Sequence, residues 1–368
     1  MKVKFNRAAL SESLAIAGTV IPARTTKPIL QGLKIEAQKD KALISATDFE
    51  TGITCLVAQV QVEEKGDVVI PAERFAAIVR ESADEVLELK TADGTCHVRG
   101  ADSHFTIYSH PTDQYPVVPG FDGEPQVKVN LIKLQEAVEH CLFATAKENT
   151  RYALSGILWE AVGKKLTLVG TDGRRLAKYK LALNAEADKK LESEKIIVSA
   201  KAMSLLGRIS AGEKDEAGIR FVDNKVVIAC GNAVISSTLI EGNFPKYEDI
   251  IPTDYKNKIE LNTAATLSAV RRAALLTNED SKGVKLALDK RSLVFTSRAP
   301  EMGDAEIAMD VDYKGEAMEI GFNPQFLVDV LKVIKEDSFE LQLGQSDRPG
   351  LIKSGTNYLY IVMPVSLS

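Results

Sequence analysis

Hydrophobic and polar residues follow a plan that repeats three times along the chain, in copies that begin near Val3, Val127 and Ile259. In each copy, a stretch with helical spacing precedes alternating strand patterns, and a second short helical stretch follows. Helices are predicted over 7–17, 73–81, 131–145, 201–209, 263–276 and 324–336. Because a period of about 120 residues is the size of a domain, the pattern predicts three similar domains in a row.

Strand signals outnumber helical ones within each copy. Val226–Cys230 and Val234–Ile240 flank a glycine-containing connection, and Asp93-Gly94 joins two further strands. This pattern predicts an α+β fold with two helices packed on antiparallel sheets in each domain.

The domain boundaries are expected in two connectors, 114–125 and 243–252, where proline and glycine interrupt the strand pattern. The predicted domains are 1–125, 126–253 and 254–368. Both connectors carry bulky apolar residues, which are atypical of flexible linkers, so rigid packing between the domains is expected.

The composition is that of a globular protein, with 45% hydrophobic and 26% charged residues. No apolar run approaches the roughly 20 residues that span a bilayer, and residues 1–6 alternate like a strand rather than a signal peptide. We therefore expect a soluble, cytoplasmic protein with no membrane association.

The cysteines and histidines show no spacing that is typical of a metal site, a disulfide framework or a nucleophile. We expect no metal and no cofactor, and we expect the cysteines to be buried apolar thiols. The residues concerned are Cys55, Cys96, Cys141 and Cys230, and His97, His104, His110 and His140.

The predicted helices are the basic part of an acidic protein. The chain has a net charge of -5, yet the helical segments, with 131–151 counted for the third, hold twelve Lys or Arg against eight Asp or Glu. Basic pairs recur at Lys201 and Arg208, Arg271 and Arg272, and Lys332 and Lys335. A solvated helix face explains each pair alone, whereas their recurrence favours a surface that faces a polyanion.

Asp172, with Asp48 as its counterpart in the first copy, is a candidate catalytic carboxylate. The stronger interpretation is an Asp-Gly turn between two strands, since Arg298 stands at this place in the third copy. No second acid, base or metal set converges on it, so we expect no enzyme activity. A repeat-built enzyme and an interaction scaffold that binds no polyanion stay open as alternatives.

Several segments together resemble the bacterial DNA polymerase III beta subunit family, the β sliding clamps. They are TDGRRLA at 171–177, EGNFPKY at 241–247, YIVMPV at 360–365, IGFN at 320–323 and RTTKPIL at 24–30. The resemblance implies a non-catalytic processivity factor with three clamp domains. Two chains would join head to tail as a homodimeric ring around duplex DNA and tether the replicative polymerase.

The size of such a ring agrees with helix geometry. Twelve helices at a spacing of about 10 Å give a circle roughly 38 Å across and a hole of about 28 Å, which admits duplex DNA about 20 Å wide.

The resemblance also implies DNA contacts at Arg24, Lys147, Arg151, Tyr152 and Lys201. Three positions depart from the family pattern, and no DNA contact is expected there from the resemblance. Glu73 and Ala200 replace arginines, and Ala153 replaces a second tyrosine.

A cleft between the second and third domains is further implied, which docks short peptides of the polymerase alpha subunit, the clamp loader delta subunit, and repair and translesion polymerases. The matching positions are Leu154, Thr171, Gly173, Arg174, Leu176, Pro245, Ile250, Asn323, Phe326, Ile361, Met363, Pro364 and Val365. An ordinary core at a domain junction is the alternative. Arg174, Asp249 and Ser366 stand in place of a His and two Arg of the family, which could shift partner preference.

Ring closure is expected to join the first domain of one chain to the third domain of its partner, and core packing is the alternative for the four apolar residues. The expected contacts are Phe105, Ile107, Leu275 and Leu276, with Arg74 facing Glu301, Asp304 and Glu306.

Overall fold

The computed structural model describes residues 1–147, 152–191, 194–252, 255–277, 283–300 and 302–366. Within these ranges the six predicted helices are confirmed, most of them with an earlier C-terminal end than expected. They are α1 (Arg7–Ala17), α2 (Ala72–Glu81), α3 (Leu131–Leu142), α4 (Ala200–Leu206), α5 (Thr263–Ala273) and α6 (Pro324–Val333). Arg208 and Lys335 therefore lie beyond the ends of α4 and α6, and the expected helix-face pairs with Lys201 and Lys332 do not form.

Strands make up most of the remaining structure. The strands of the first third are β1 (Lys2–Asn6), β2 (Gly32–Ala37), β3 (Ala42–Thr47), β4 (Thr51–Val57), β5 (Val60–Glu64), β6 (Gly66–Pro71), β7 (Val86–Ala92), β8 (Thr95–Arg99) and β9 (His104–Tyr108). Those of the middle third are β10 (Val127–Asn130), β11 (Gly156–Val162), β12 (Lys165–Thr171), β13 (Arg175–Ala182), β14 (Ile196–Ser199), β15 (Glu216–Val222), β16 (Lys225–Cys230) and β17 (Ala233–Thr238). Those of the last third are β18 (Asn257–Asn262), β19 (Val284–Asp289), β20 (Ser292–Ala299), β21 (Gly303–Asp310), β22 (Met318–Phe322), β23 (Ser338–Leu343), β24 (Gly350–Ser354) and β25 (Tyr358–Val362).

An asparagine starts the first helix of every copy. Asn6, Asn130 and Asn262 each end a strand, and each side chain accepts a hydrogen bond from the amide three residues later, at 3.1, 3.0 and 2.9 Å. This N-cap satisfies a helix amide that has no partner inside the helix. The same local chemistry therefore turns strand into helix in all three copies.

The fold comprises two compact units, and the middle third of the chain contributes to both. The first unit contains residues 1–135, 183–188 and 201–239, and the second contains 136–182, 189–200 and 240–368. Every strand pairing found in either unit is antiparallel, as the alternating pattern predicted.

The first unit has two sheets. One has the strand order β5-β1-β7-β8-β9, and the other has the order β10-β15-β16-β17-β4-β3-β2-β6. In the eight-stranded sheet, β17 pairs with β4 from Ala233↔Cys55 to Ser237↔Thr51, so strands of the first and middle copies form one continuous ladder. Apolar side chains such as Phe5, Leu10 and Phe75 are buried in the core of the first unit.

The second unit likewise consists of one eight-stranded sheet and one smaller sheet. Its eight-stranded sheet has the order β14-β11-β12-β13-β25-β24-β23-β18, and a four-stranded sheet has the order β21-β20-β19-β22. Here β13 pairs with β25 from Arg175↔Val362 to Tyr179↔Tyr358, which joins strands of the middle and last copies. A continuous ladder explains why no flexible linker is needed at this junction.

All four cysteines are free thiols, and their burial agrees with the prediction. Burial raises the pKa of the Cys55, Cys96 and Cys230 thiols to about 12, so they stay protonated and unreactive near neutral pH. Among the described residues, no helix has the length and apolarity required to cross a membrane.

Candidate functional site

The junction of β13 and β25 carries the largest group of predicted site residues. It begins with the turn after β12, where Thr171 Oγ1 donates to Arg175 O at 2.6 Å and accepts from Gly173 N at 3.1 Å. Asp172 Oδ1 accepts from the backbone amides of Arg174 and Arg175 at 2.9 and 3.1 Å. Gly173 has φ +87°, a conformation that glycine adopts without strain.

The first copy contains the same turn. Asp48 Oδ1 accepts from Glu50 N and Thr51 N at 3.0 and 2.7 Å, and Thr47 takes the role of Thr171. Phe49, with φ +79°, stands where the middle copy has glycine. The carboxylates of both turns are occupied by backbone amides, which confirms the turn interpretation of Asp172.

Arg175 lies at this junction but was not among the predicted site residues. Its guanidinium is buried and donates to Asp172 Oδ2 at 3.0 Å, to Asp329 Oδ2 at 2.7 Å and to the carbonyl of Phe143 at 2.7 Å. It also lies over the ring of Phe326, 4.5 Å from the centroid. Arg175 is the first residue of β13 and closely follows the turn at Asp172 and Gly173, so an alternating strand pattern did not mark it as buried.

A concave surface beside this network, which we call the Arg174 cavity, has a volume of about 780 Å³. Four of the predicted cleft residues lie in its wall, namely Leu154, Gly173, Arg174 and Phe326. Lys147, which was predicted to contact DNA, lies in the same wall. Because Asp172 and Asp329 neutralise Arg175, Lys147 and the exposed Arg174 carry the positive charge at the rim.

A second concave surface, the Met363 cavity, has a volume of about 1080 Å³. Of the predicted cleft residues it contains Ile250 and Met363, which are 46% and 40% exposed. Its other walls were not predicted and include Tyr255, whose hydroxyl donates to Pro349 O at 2.8 Å, and Met318. Among the described residues, the predicted cleft residues thus line two concave surfaces, with Arg174 in one and Met363 in the other.

A backbone hydrogen bond connects the two surfaces, because Met363 N donates to Arg174 O at 2.9 Å. Two residues later Val365 N donates to Gly321 O at 2.9 Å, so both ends of the segment 363–365 are held. Met363 is exposed and Pro364 is half-buried between them. This segment presents side chains to solvent from a fixed backbone.

Some of the predicted cleft residues are buried in the core of the second unit, and others are exposed. Leu154, Leu176 and Ile361 belong to one apolar cluster with Phe244 and Tyr247 and are at most 3% exposed. Pro245 is exposed. Asn323 caps α6 by accepting from Gln325 N at 2.9 Å. The core interpretation therefore applies to these three buried residues, whereas Pro245, Ile250 and Met363 reach solvent.

The residues predicted to contact DNA have different surroundings. Arg24 is exposed in the first unit. Lys201, in the same unit, donates to Asp48 Oδ2 and to Val20 O at 2.9 Å, so its ammonium charge is already paired. Tyr152 lies in a short 3₁₀ turn, and Arg151 is outside the described residues.

The residues predicted at the ring seam also differ in exposure. Leu275 is 73% exposed, in a 3₁₀ turn directly after α5 rather than in the helix itself, and Leu276 in the same turn is half-buried. On β9, Phe105 is 39% exposed, whereas Ile107 is buried at 8% and faces the core. Arg74 on α2, and Asp304 and Glu306 on β21, are exposed, and Glu301 is outside the described residues.

Comparison with known proteins supports the architecture over its whole length. Three family models match in tandem, described as the N-terminal, central and C-terminal domains of the DNA polymerase III beta subunit, over residues 1–119, 128–246 and 248–366. A beta sliding clamp of Chlamydia muridarum is 30% identical over 368 residues, covering 100% of this chain and 99% of the relative.

Solved structures of sliding clamps have a similar fold over the full length of this chain. A DNA polymerase sliding clamp from Bacillus subtilis is 26% identical with a TM-score of 0.92, and each chain is covered completely. A sliding clamp from Pseudomonas aeruginosa bound to griselimycin is 27% identical with a TM-score of 0.91, again over 100% of both chains.

Three tandem α+β clamp domains define the class of this protein as a sliding clamp. The chain belongs to the DNA polymerase III beta subunit family. It is thus a non-catalytic processivity subunit that functions in DNA replication, rather than an enzyme.

Proposed function

We propose that two copies of this chain join head to tail as a ring, which encircles duplex DNA and tethers the replicative polymerase for processive synthesis. Domains at 1–125, 126–253 and 254–368 would give six per ring. The sheet topology supports closure, because β9 and β21 each lie at the end of a sheet in their own unit. An end strand offers unpaired backbone groups to a second chain.

The ring would hold DNA by topology rather than by tight phosphate contacts. Strong ion pairs with phosphate would impede sliding, so a modest positive balance on the helices is sufficient. Arg24, Lys147, Arg151, Tyr152 and Lys201 are the proposed DNA-facing residues. Of these, Lys201 should contribute least, because a phosphate would compete with Asp48 for its ammonium.

Retention on DNA of different topology tests the ring. Clamps assembled on a closed circular duplex should stay bound through gel filtration and should be released when a restriction enzyme linearises the circle. The control is the same protein preparation incubated with DNA that is linear from the start. Equal retention on both forms, or on neither, would refute encirclement.

We also propose that the Arg174 and Met363 cavities together form the docking surface for short extended peptides. These would come from the polymerase alpha subunit, the clamp loader delta subunit, and repair and translesion polymerases. The observation that supports this most strongly is the exposed Met363 on a segment held at Arg174 and Gly321. A methionine side chain adapts to several apolar partners, while fixed backbone groups can orient an extended peptide.

Peptide titration tests the docking surface. Deleting 363–368 should abolish binding of a fluorescent peptide from the polymerase alpha subunit, and Met363→Ala should weaken it by at least about fivefold. Met302→Ala removes a methionine that is 57% exposed elsewhere and should leave affinity unchanged. The variants should still form dimers. Affinity that is unaffected by the deletion would exclude this surface.

We place the protein in the cytoplasm, where bacterial DNA is replicated.

A further inference from the structure

Two histidines meet on the hairpin formed by β8 and β9, on the face of the sheet opposite to the predicted seam residues Phe105 and Ile107. His97 Nδ1 lies 3.2 Å from His104 Nε2, and the ring centroids are 5.3 Å apart. In the strand register His97 pairs with Thr106, and His104 pairs with Arg99, so both histidines project from the same face. His104 is exposed and His97 is half-buried.

The hydrogen bonds around His97 determine which of its nitrogens carries the proton. The single hydroxyl proton of Thr95 is donated to Ala92 O at 2.6 Å. Thr95 Oγ1 can therefore only accept from His97 Nε2, which is 3.3 Å away. The proton lies on Nε2, so the Nδ1 lone pair points toward His104 and the Thr106 hydroxyl, which is also 3.2 Å away.

We propose that His97 Nδ1 and His104 Nε2 bind one divalent transition-metal ion such as Zn²⁺, Ni²⁺ or Cu²⁺. Two nitrogens bound to one tetrahedral zinc ion at about 2.0–2.1 Å lie about 3.3 Å apart, close to the distance found between these two atoms. Imidazole nitrogen suits these metals. His104 need only carry its proton on Nδ1, and an exposed ring exchanges that proton with solvent.

The contact between Thr95 and His97 is what distinguishes this pair from two adjacent surface histidines. Histidines that bind metals usually donate their other ring N–H to a fixed acceptor, which orients the ring and fixes the tautomer. Thr95 provides that acceptor, and the carbonyl of Ala92 fixes Thr95 in turn.

The site is open rather than closed. Among the described residues no group of three or more His, Cys, Asp or Glu is placed to hold a metal ion, so water completes the coordination. Lys90 is the cross-strand neighbour of His97, and Arg99 is that of His104. These two cations oppose a bound dication and keep the affinity moderate.

Isothermal titration of the full-length protein with zinc chloride, after removal of trace metal with a chelator, tests the site. We expect about one Zn²⁺ per chain, with binding lost in His97→Ala and in His104→Ala. Thr95→Val keeps the shape of the side chain but removes the acceptor, and it should weaken binding about 10- to 100-fold. His110→Ala removes a histidine that follows β9 and should leave binding unchanged.

Circular dichroism melting of each variant checks that the fold is retained, as expected for substitutions on the outer face of a sheet. Absence of zinc binding by the unmodified protein would overturn the proposal. Binding that survives in the His97→Ala, His104→Ala double variant, or that is indifferent to Thr95→Val, would overturn it as well. Zinc binding requires no partner chain, because both ligands belong to one chain.

Discussion

The guanidinium of Arg175 connects three segments of the second unit: the turn at Asp172, helix α6 at Asp329 and the carbonyl of Phe143. Burying a charge is unfavourable unless it is paired and hydrogen-bonded, and both conditions are met here. Asp172, Arg175 and Asp329 line the Arg174 cavity, so this network positions part of the proposed docking surface.

Replacing Arg175 should be strongly destabilising. Arg175→Ala leaves two partly buried carboxylates without their cation, for which we expect a loss of about 3–5 kcal/mol in the free energy of unfolding. Arg175→Lys should restore only part of it, because an ammonium cannot reproduce the planar fork of a guanidinium. Urea denaturation monitored by circular dichroism measures the change.

The exposed neighbour Arg174 provides the control, since Arg174→Ala should change stability by no more than about 0.5 kcal/mol. A similar loss for both variants would show that the buried network contributes nothing beyond charge.

His140 is buried in the second unit between two aromatic rings. Its Nδ1 hydrogen-bonds to Glu136 O at 2.7 Å, and the rings of Tyr179 and Tyr358 lie 4.9 and 4.7 Å away. Burial lowers the pKa of His140 below its ordinary value of 6.5, although the nearby carboxylates of Glu136 and Glu139 oppose this. Lys335 is the facing cation and contributes to the lowering.

Acid should therefore destabilise the protein through His140. When the folded-state pKa lies below the unfolded one, the unfolded chain binds the proton more readily, so stability falls as the pH drops below about 6.5. His140→Gln should reduce this acid-side slope of the melting temperature, with His110→Gln as the control. Melting curves between pH 7.5 and 5 measure it, and an unchanged slope in His140→Gln would contradict the assignment.

At the scale of elements, the two Thr-Asp turns show how repeated sequence gives repeated local structure. Both turns join neighbouring strands, β3 to β4 and β12 to β13, and both place their third residue at positive φ. The middle copy uses Gly173, whereas the first copy holds Phe49 there, under the ammonium of Lys27 at 4.4 Å from the ring centroid.

Gly173→Ala should cost about 1–2 kcal/mol of stability, because a side chain at φ +87° strains the backbone. Gly207→Ala is the matched control, since the added Cβ would meet only Ser204 O at 3.7 Å and φ there is not positive. Thermal melting compares the two, and an equal effect would mean that the turn tolerates alanine.

The elements were predictable to different extents. Helix positions follow from the spacing of apolar residues, and α1 agrees with its predicted limits. The ends of α4 and α6 do not: α4 ends at Leu206, and the backbone is already extended at Ile334 after α6, although apolar residues continue beyond both points. The asparagine caps at 6, 130 and 262 were readable from the sequence, since each follows a strand pattern and precedes a helical one.

At the scale of the whole molecule, the proposed ring depends on a seam between the first and last thirds of two chains. Leu275→Ala combined with Leu276→Ala should shift the dimer toward monomer, with about 2–5 kcal/mol lost for each side chain that the interface buries. Sedimentation velocity over a range of concentrations measures the shift. Leu56→Ala, which trims another exposed leucine, is the control.

Charge reversal tests the pairing of the same seam. Arg74→Glu should weaken the dimer, and Glu306→Arg added to it should restore association if these two residues meet across the interface. Failure of the second change to rescue the first would remove that pair from the proposed seam.

The sequence by itself determined the threefold plan, the α+β class and the helix positions, and its resemblance reached the family. These properties depend on residues close together along the chain, whose spacing and side-chain chemistry act locally. Only the tertiary structure decided that β17 joins β4 and that β13 joins β25. It alone placed Arg175 between two carboxylates and His97 against His104. Contacts of this kind depend on the register of strands that are paired through the fold, which local patterns do not specify.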